Sequence, residues 1–301
     1  MVSKEVIGID LGGTAIKLGR FTFDGTCLTS LTVDTPQPAK PEAVLAKMVE
    51  AIKEIDPENK AVAIGVGTPG PSDAKGRIAL IAINLLGWKN IPLADWLEAK
   101  IGKPTVIGND ANCAGLGEVW LGAGQNFKNL ILLTLGTGAG GAIFFDGKLF
   151  TGHQGAAGEL GLIAFNPMGP ACNSGNQGSL EQYISIKAIR RMTGKEPKEL
   201  GTLAKSGDIE ALKFWQEYGK NLGIGLASLI YVLTPEAIVI GGGISANFEL
   251  FLPSCKAEIE QRVMYTSRDG LQILQAKLGN AAGMVGAAKL AIMKDVSGSV
   301  P

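Results

Sequence analysis

Apolar residues in this chain fall in short unbroken runs set off by glycine-rich corners, the pattern of strands buried on both faces. Val6-Ile7-Gly8-Ile9 predicts the first such strand. A tight turn over Asp10 to Thr14 follows, then a second strand from Ala15 to Phe23 that ends at the hairpin-type corner Asp24-Gly25. Two antiparallel strands thus bracket Gly12 and Gly13. From Glu42 the period changes: Val44, Leu45, Met48, Val49, Ile52 and Ile55 share one helical face, and Pro57 ends it. Ala61 to Val66 returns to a buried strand, and Thr68-Pro69-Gly70-Pro71 forces a loop. A strand from Thr105 to Gly108 then leads through Asn109-Asp110 into a helix over Ala111 to Leu121. Farther on, the pattern predicts a loop-rich insert from Gly152 to Gly178 and helices over Asp208 to Leu233 and Pro253 to Tyr265. It also predicts a strand from Ala237 to Ile240 running into Gly241-Gly242-Gly243. An alanine-rich helix spans about Ala281 to Lys294, and the tail after Asp295 is expected to fray. Strands and helices alternate, which makes the class α/β.

Near residue 130 the opening pattern recurs. Ile9-Asp10-Leu11-Gly12-Gly13-Thr14 aligns with Leu133-Thr134-Leu135-Gly136-Thr137-Gly138, and Asp24-Gly25 with Asp146-Gly147. A repeat this long suits two related domains, each presenting a glycine turn to a shared cleft, with a boundary near residue 120. The 301 residues agree with two domains at about 150 residues each.

Composition narrows the chemistry. Lys plus Arg and Asp plus Glu both number 28, so the formal net charge is zero and no basic field exists to hold a phosphate backbone. The reading is no nucleic-acid partner. Four dispersed cysteines without a CxxC pair suit reduced thiols in the cytoplasm. The opening run is too short for a signal peptide, and Leu222 to Leu233 falls short of the roughly 20 residues a bilayer requires, so no membrane association is expected. A single histidine, His153, excludes mechanisms and metal sites that need two. Glycine, at 42 residues, is in excess where backbone must approach a ligand.

Asp10-Leu11-Gly12-Gly13-Thr14 is a candidate phosphate turn: the glycines expose backbone N–H groups, Thr14 adds a hydroxyl, and Asp10 can hold Mg2+ directly or through water. An ordinary hairpin turn is the competing reading. The second corner, Gly136-Thr137-Gly138, favours a clamp on a polyphosphate, because chain reversal alone needs no repeated threonine. Neither corner fits a P-loop or a dinucleotide fingerprint. Gly241 to Gly243 offers a side-chain-free surface for an adenosine, or serves only as a strand-to-helix turn. Asp110 is the candidate base for a substrate hydroxyl, with Asn109 beside it as a donor; an Asn-Asp helix cap is the plainer alternative. Glu159 and Glu181, in the glycine-rich insert, can accept paired hydrogen bonds from vicinal hydroxyls or serve as surface charge.

Together these residues resemble the ROK family of bacterial sugar kinases, within the hexokinase, actin and Hsp70 superfamily. The match rests on Asp10-Leu11-Gly12-Gly13-Thr14, Thr68-Pro69-Gly70, Gly108-Asn109-Asp110-Ala111-Asn112, Leu135-Gly136-Thr137-Gly138, Gly155-Ala156-Ala157-Gly158-Glu159-Leu160-Gly161 and Ile240-Gly241-Gly242-Gly243, and runs from Ile7 to about Met293. The resemblance implies two ribonuclease-H-like (actin-like ATPase) domains with an interdomain cleft: 1–120, with the terminal helix 281–301 packing back on it, and 121–280. It implies Asp110 as the base, and Gly70, Asn109, Glu159 and Glu181 around a hexose. Asp10, Gly12, Gly13, Thr14, Gly136, Thr137 and Gly138 would meet phosphates and Mg2+, and Gly241, Gly242 and Gly243 the adenosine of ATP. A homodimer is implied on the same basis.

One departure stands out. The family carries a structural zinc on a histidine and the three cysteines of CxCGxxGCxE. Here the histidine position is Leu162, and the motif reads Cys172-Asn173-Ser174-Gly175-Asn176-Gln177-Gly178-Ser179-Leu180-Glu181. One ligand remains, serine is a poor zinc ligand, and no zinc is expected. The leading expectation is a glucokinase that phosphorylates the 6-hydroxyl of glucose with ATP. Fructose, mannose, an N-acetylhexosamine, and polyphosphate as donor stay open. A sugar-sensing regulator is disfavoured because the first strand begins at Val6 and Asp110 is present. A filament-forming relative of actin is disfavoured because the insert with Glu159 and Glu181 serves a small polyol.

Overall fold

The computed structural model describes residues 4–82 and 85–297. In chain order the elements are β1 (Glu5–Leu11), β2 (Ala15–Thr22), β3 (Cys27–Asp34), α1 (Pro41–Ile55), β4 (Ala61–Thr68), β5 (Ala79–Ile81), β6 (Lys89–Ile91), α2 (Leu93–Ile101), β7 (Thr105–Asn109) and α3 (Asp110–Leu121). There follow β8 (Leu130–Leu135), β9 (Ala139–Phe145), β10 (Lys148–Phe150), α4 (Glu181–Ile184), α5 (Ile186–Thr193), α6 (Pro197–Lys205) and α7 (Ile209–Leu233). The chain ends with β11 (Ala237–Gly241), α8 (Phe248–Arg262), α9 (Tyr265–Arg268), β12 (Gln272–Gln275) and α10 (Ala282–Ser297).

By contact density the chain forms two compact units. One comprises Met1–Asn126, Lys148–Gly158 and Asn280–Pro301, the other Phe127–Gly147 and Glu159–Gly279. In the first, β1 pairs antiparallel with β2, β2 with β3, and β4 and β7 run parallel to β1, in the order β3-β2-β1-β4-β7. Ile7, Ile9, Leu18, Met48, Val66 and Leu97 fill its core. In the second, β8 and β9 form the antiparallel hairpin, and β11 and β12 run parallel to β8, in the order β9-β8-β11-β12. That order repeats β2-β1-β4-β7, so the sequence repeat at the two glycine corners reflects a repeated topology. The second core is aromatic: Trp215, Tyr218 and Phe251 pack at 5.3–6.1 Å between ring centres, joined by Leu222 and Ile240.

Helix α10 seats directly on backbone. A side-chain carbon placed on Gly65 would lie 1.8 Å from the Ala287 carbonyl oxygen, and one on Gly286 would lie 1.5 Å from that of Cys113. Glycine here permits a close helix approach rather than a turn. The helix continues through Ser297; residues 298–301, on which the expectation of a frayed tail also falls, lie outside the described residues. Among the described residues no helix is long and apolar enough to cross a membrane.

Other differences from the pattern reading have physical causes. Strand β3 is an outer strand whose residues alternate between exposed and half-buried, so it lacks the apolar run of an inner strand. Helix α8 begins at Phe248, ahead of Pro253, which lies inside it, and it ends at Arg262, with Tyr265–Arg268 a separate turn. A 3-10 turn over Gly243–Asn247 feeds the helix from its amino end.

Candidate active site

In the first unit the parallel strands deliver polar residues at their carboxyl ends, where α/β sheets bind ligands. Asp10, near the end of β1, lies directly across from Lys17 on β2, and Lys17 Nζ stands 3.4 Å from Asp10 Oδ2. Lys17 also donates to the Asn280 carbonyl at 3.2 Å. Burial pushes the Asp10 pKa up, and Lys17 pulls it part of the way back. Gly283 leaves room for this carboxyl group: a side-chain carbon there would lie 2.7 Å from Asp10 Cγ. The corner is braced from behind. Gly12 N–H donates to the Ala15 carbonyl at 2.9 Å, Thr35 Oγ1 to the Gly12 carbonyl at 2.8 Å, and Gln37 Nε2 to the Gly13 carbonyl at 2.9 Å, while Gly13 and Thr14 are exposed.

Where β7 becomes α3, the two neighbours divide their work. Asn109 is the helix cap: its Oδ1 accepts from Asn112 N–H at 3.0 Å and its Nδ2 donates to the Gly70 carbonyl at 3.1 Å. Asp110 opens the helix, and its Oδ1 accepts from Ala111 N–H at 2.8 Å. Gly70 has φ +77°, and a side-chain carbon there would meet the Ile81 carbonyl oxygen at 2.0 Å, so glycine at this position is a packing requirement. The buried Cys113 thiol lies beneath the site. Burial raises its pKa first, and the charges of Asp10 and Asp110 add to the shift. Gly67 on β4 pairs with Asp10, and a side-chain carbon there would lie 3.3 Å from Cys113 Sγ and 3.7 Å from Asp110 Cα, so the sheet brings both acidic residues to this corner. A cavity of about 20 Å³, lined by Ser72, Asn109, Asn112, Thr151 and Leu290 among others, has room for about one water molecule.

In the second unit Ala139, the first residue after the Gly136 corner, meets Glu181 directly and packs against the turn that follows Glu159. Its N–H donates to Glu181 Oε2 at 2.9 Å. A side-chain carbon on Gly161, two residues beyond Glu159, would lie 2.1 Å from the Ala139 carbonyl oxygen, so the 3-10 turn Leu160–Leu162 is pressed against the same residue. Glu159 is an exposed residue, yet desolvation by the surrounding protein, and then the charge of Glu181, push its pKa upward. Gly138 makes room for Glu181, because a side-chain carbon there would stand 2.5 Å from Glu181 Oε2. Gly136 N–H donates to the Gly138 carbonyl at 2.9 Å, and Thr137 is exposed. After β11, Gly242 has φ +82° and rests on Leu135, with 2.4 Å from a notional side-chain carbon to the Leu135 carbonyl oxygen; around Gly243 the space is open.

Two residues of this geometry, Lys17 and Ala139, were not singled out by sequence, and Asn112 entered only within the Gly108–Asn112 motif. Lys17 was detectable from hairpin register, which sets it opposite Asp10. Asn112 shares the cap, and its Oδ1 is buried without a hydrogen-bond partner. Ala139 acts through backbone atoms, which carry no residue signature. His153 is exposed.

The sequence profile of the ROK family matches residues 6–294. The glucokinase of Thermotoga maritima is 33% identical over 96% of this chain and 98% of its own length. A ROK family glucokinase from Streptomyces griseus, solved in complex with glucose and AMPPNP, superposes with a TM-score of 0.84 at 35% identity, covering 96% of this chain and 99% of that one. The xylose repressor of Caldicellulosiruptor bescii is 30% identical over 96% of this chain and 78% of its own. With nearly its whole length matched and its mixed α/β fold shared with these kinases, the chain belongs to the ROK family.

Proposed function

We propose that this protein is a hexose kinase that transfers the γ-phosphoryl group of ATP, with glucose as first candidate and its 6-hydroxyl as acceptor. The observation that carries the reading is the placement of Asp10 and Asp110 about Gly67, which pairs with Asp10 across the sheet and packs against Asp110, at the carboxyl ends of β1 and β7. Phosphoryl transfer needs one carboxylate for the metal that accompanies the nucleotide and another for the proton that leaves the acceptor. Glucokinases at about one-third identity over nearly the full chain, and a relative solved with glucose and AMPPNP, support the same reading.

Glu159 and Glu181 would accept hydrogen bonds from sugar hydroxyls, with Asn109 and Gly70 contributing from the capped loop. Asp110 takes the proton of the attacking hydroxyl as its oxygen bonds to phosphorus, and the leaving oxygen departs with ADP. Gly12, Gly13, Thr14, Gly136, Thr137 and Gly138 would meet phosphate oxygens, and Gly241, Gly242 and Gly243 the adenosine. The half-buried Asp10, with the exposed Thr14 hydroxyl near it in the chain, supplies the hard oxygen donors that Mg2+ prefers, so the residues fit that ion, held directly or through water. When bound, Mg2+ neutralises charge on the transferring group.

A panel of glucose, fructose, mannose and N-acetylhexosamines with ATP or polyphosphate, compared by kcat/KM, tests the proposal. The expected result is the highest value for glucose with ATP. No turnover of any hexose, together with hexose-sensitive binding to duplex DNA, would replace it with a regulator of the kind represented by the xylose repressor.

A further inference from the structure

The loop ahead of Glu181 does not fit the zinc that the family resemblance implies. Its donor positions hold Leu162, Cys172, Ser174 and Ser179, and the one thiol is already engaged, with Ser174 Oγ donating to Cys172 Sγ at 3.2 Å. A leucine and two hydroxyls beside a single sulfur cannot complete a tetrahedral zinc site.

The loop is nevertheless tightly organised. Cys172 N–H donates to the Asn176 carbonyl at 2.8 Å, and Gly175 N–H returns to the Cys172 carbonyl at 3.1 Å. Gln177 Nε2 donates to the Gly169 carbonyl at 3.1 Å. Phe165 and Asn166 N–H both reach the Gly178 carbonyl at 2.9 Å, and Leu180 N–H reaches Ile163 at 3.0 Å. One side-chain contact joins this loop to the 3-10 turn behind Glu159. Asn176 Nδ2 donates to the Leu162 carbonyl at 2.9 Å, while its Oδ1 is held by Gln177 N–H at 2.8 Å. The two stretches joined, at 162 and at 172–179, are those that a metal on the family's ligand positions would join.

We infer that Asn176 is a positioning residue whose amide replaces that metal, clasping the Glu159 turn to the Glu181 loop so that both carboxylates hold their places without zinc. The inference deepens the hexose reading, because the clasp fixes the residues proposed to grip the sugar. Beyond Leu162 a single antiparallel bridge pairs Ala164 with Ser179, Leu180 N–H donates to the Ile163 carbonyl, and Glu181 follows directly and accepts from Ala139 N–H.

The test uses the full chain and the isosteric Asn176→Asp, which keeps the shape and removes the donor. Hydrogen–deuterium exchange across residues 162–181 reads the clasp without depending on activity. The expected result is faster exchange in Asn176→Asp, a hexose KM raised about fivefold or more with kcat within about twofold, and recovery of both in Asn176→Gln. The wild-type protein is expected to hold less than one zinc per chain by elemental analysis and to keep its melting temperature and activity in a zinc chelator. Stoichiometric, chelator-resistant zinc in the wild type, or unchanged exchange in Asn176→Asp, overturns the inference. Altered exchange in a protein that phosphorylates no hexose leaves the clasp standing and removes the kinase reading.

Discussion

Asn109 and Asp110, adjacent in the chain, make different contacts and call for different tests. The side-chain oxygen of Asn109 is committed to Asn112 N–H and its amide to Gly70, so Asn109→Ala is expected to destabilise the protein by about 1 kcal/mol, as loss of a helix cap does, checked by urea denaturation. Asp110→Asn keeps the shape but cannot take a proton; kcat is expected to fall by about a hundredfold to ten-thousandfold with hexose affinity by calorimetry little changed. A variant with wild-type kcat would remove Asp110 from the base role. Glu159 carries a pH signature. Folding raises its pKa above the usual 4.5, so the folded chain holds that proton more tightly than the unfolded one, and stability falls as pH rises from 4.5 through the folded value. Hexose binding needs the ionised acceptor, so KM is expected to rise as pH drops through the same window. Glu159→Gln is expected to flatten both profiles; unchanged slopes would detach them from this carboxyl group. Asp10, Asn109 and Asp110 could be picked out as candidates because their motifs stand at strand ends, whereas Ala139 could not, since its N–H contact to Glu181 arises from the fold.

At the level of elements, legibility followed burial. β1, β4, β8 and β11 announce themselves as apolar runs because both of their faces are covered, while β3 and β12 lie at sheet edges and read as polar chain. In the sequence, glycine excess reads as backbone approaching a ligand. At Gly65 and Gly286 the approaching partner is protein: alanine at either position would drive a methyl group into a carbonyl oxygen of a neighbouring element. Gly65→Ala and Gly286→Ala are therefore expected to cost about 1–3 kcal/mol or more through overpacking, read as a drop in melting temperature. Gly243 is the contrast. Nothing lies within 4 Å of a side-chain carbon there, so Gly243→Ala is expected to leave the melting temperature unchanged. If the adenosine rests on this corner, the same variant raises KM for ATP and spares KM for the hexose. A KM for ATP that stays at the wild-type value would return Gly243 to the role of a strand-to-helix connector.

For the whole molecule, a balance of 28 basic and 28 acidic residues provides no long-range field for a polyanion, so what binds must be selected by local groups. Ligand-linked stability reads that selection without turnover. A ligand held only by the folded chain stabilises it by about 2.7 kcal/mol at a hundredfold excess over Kd, which in a protein of this size raises the melting temperature by roughly 4 °C. Glucose and AMPPNP are each expected to give such an upward shift, and duplex DNA at physiological salt none. Variants then separate the contributions. Asp110→Asn should retain the glucose shift, because the base acts on a proton after the sugar is bound. Glu181→Gln, which weakens the acceptor anchored on Ala139 N–H, should lose most of the glucose shift and keep that of AMPPNP. The reverse pattern, with the nucleotide shift lost and the sugar shift intact, would move Glu181 from the hexose to the phosphates. That outcome would fit its 2.5 Å approach to the space left by Gly138 and would require another group to hold the sugar beside Glu159.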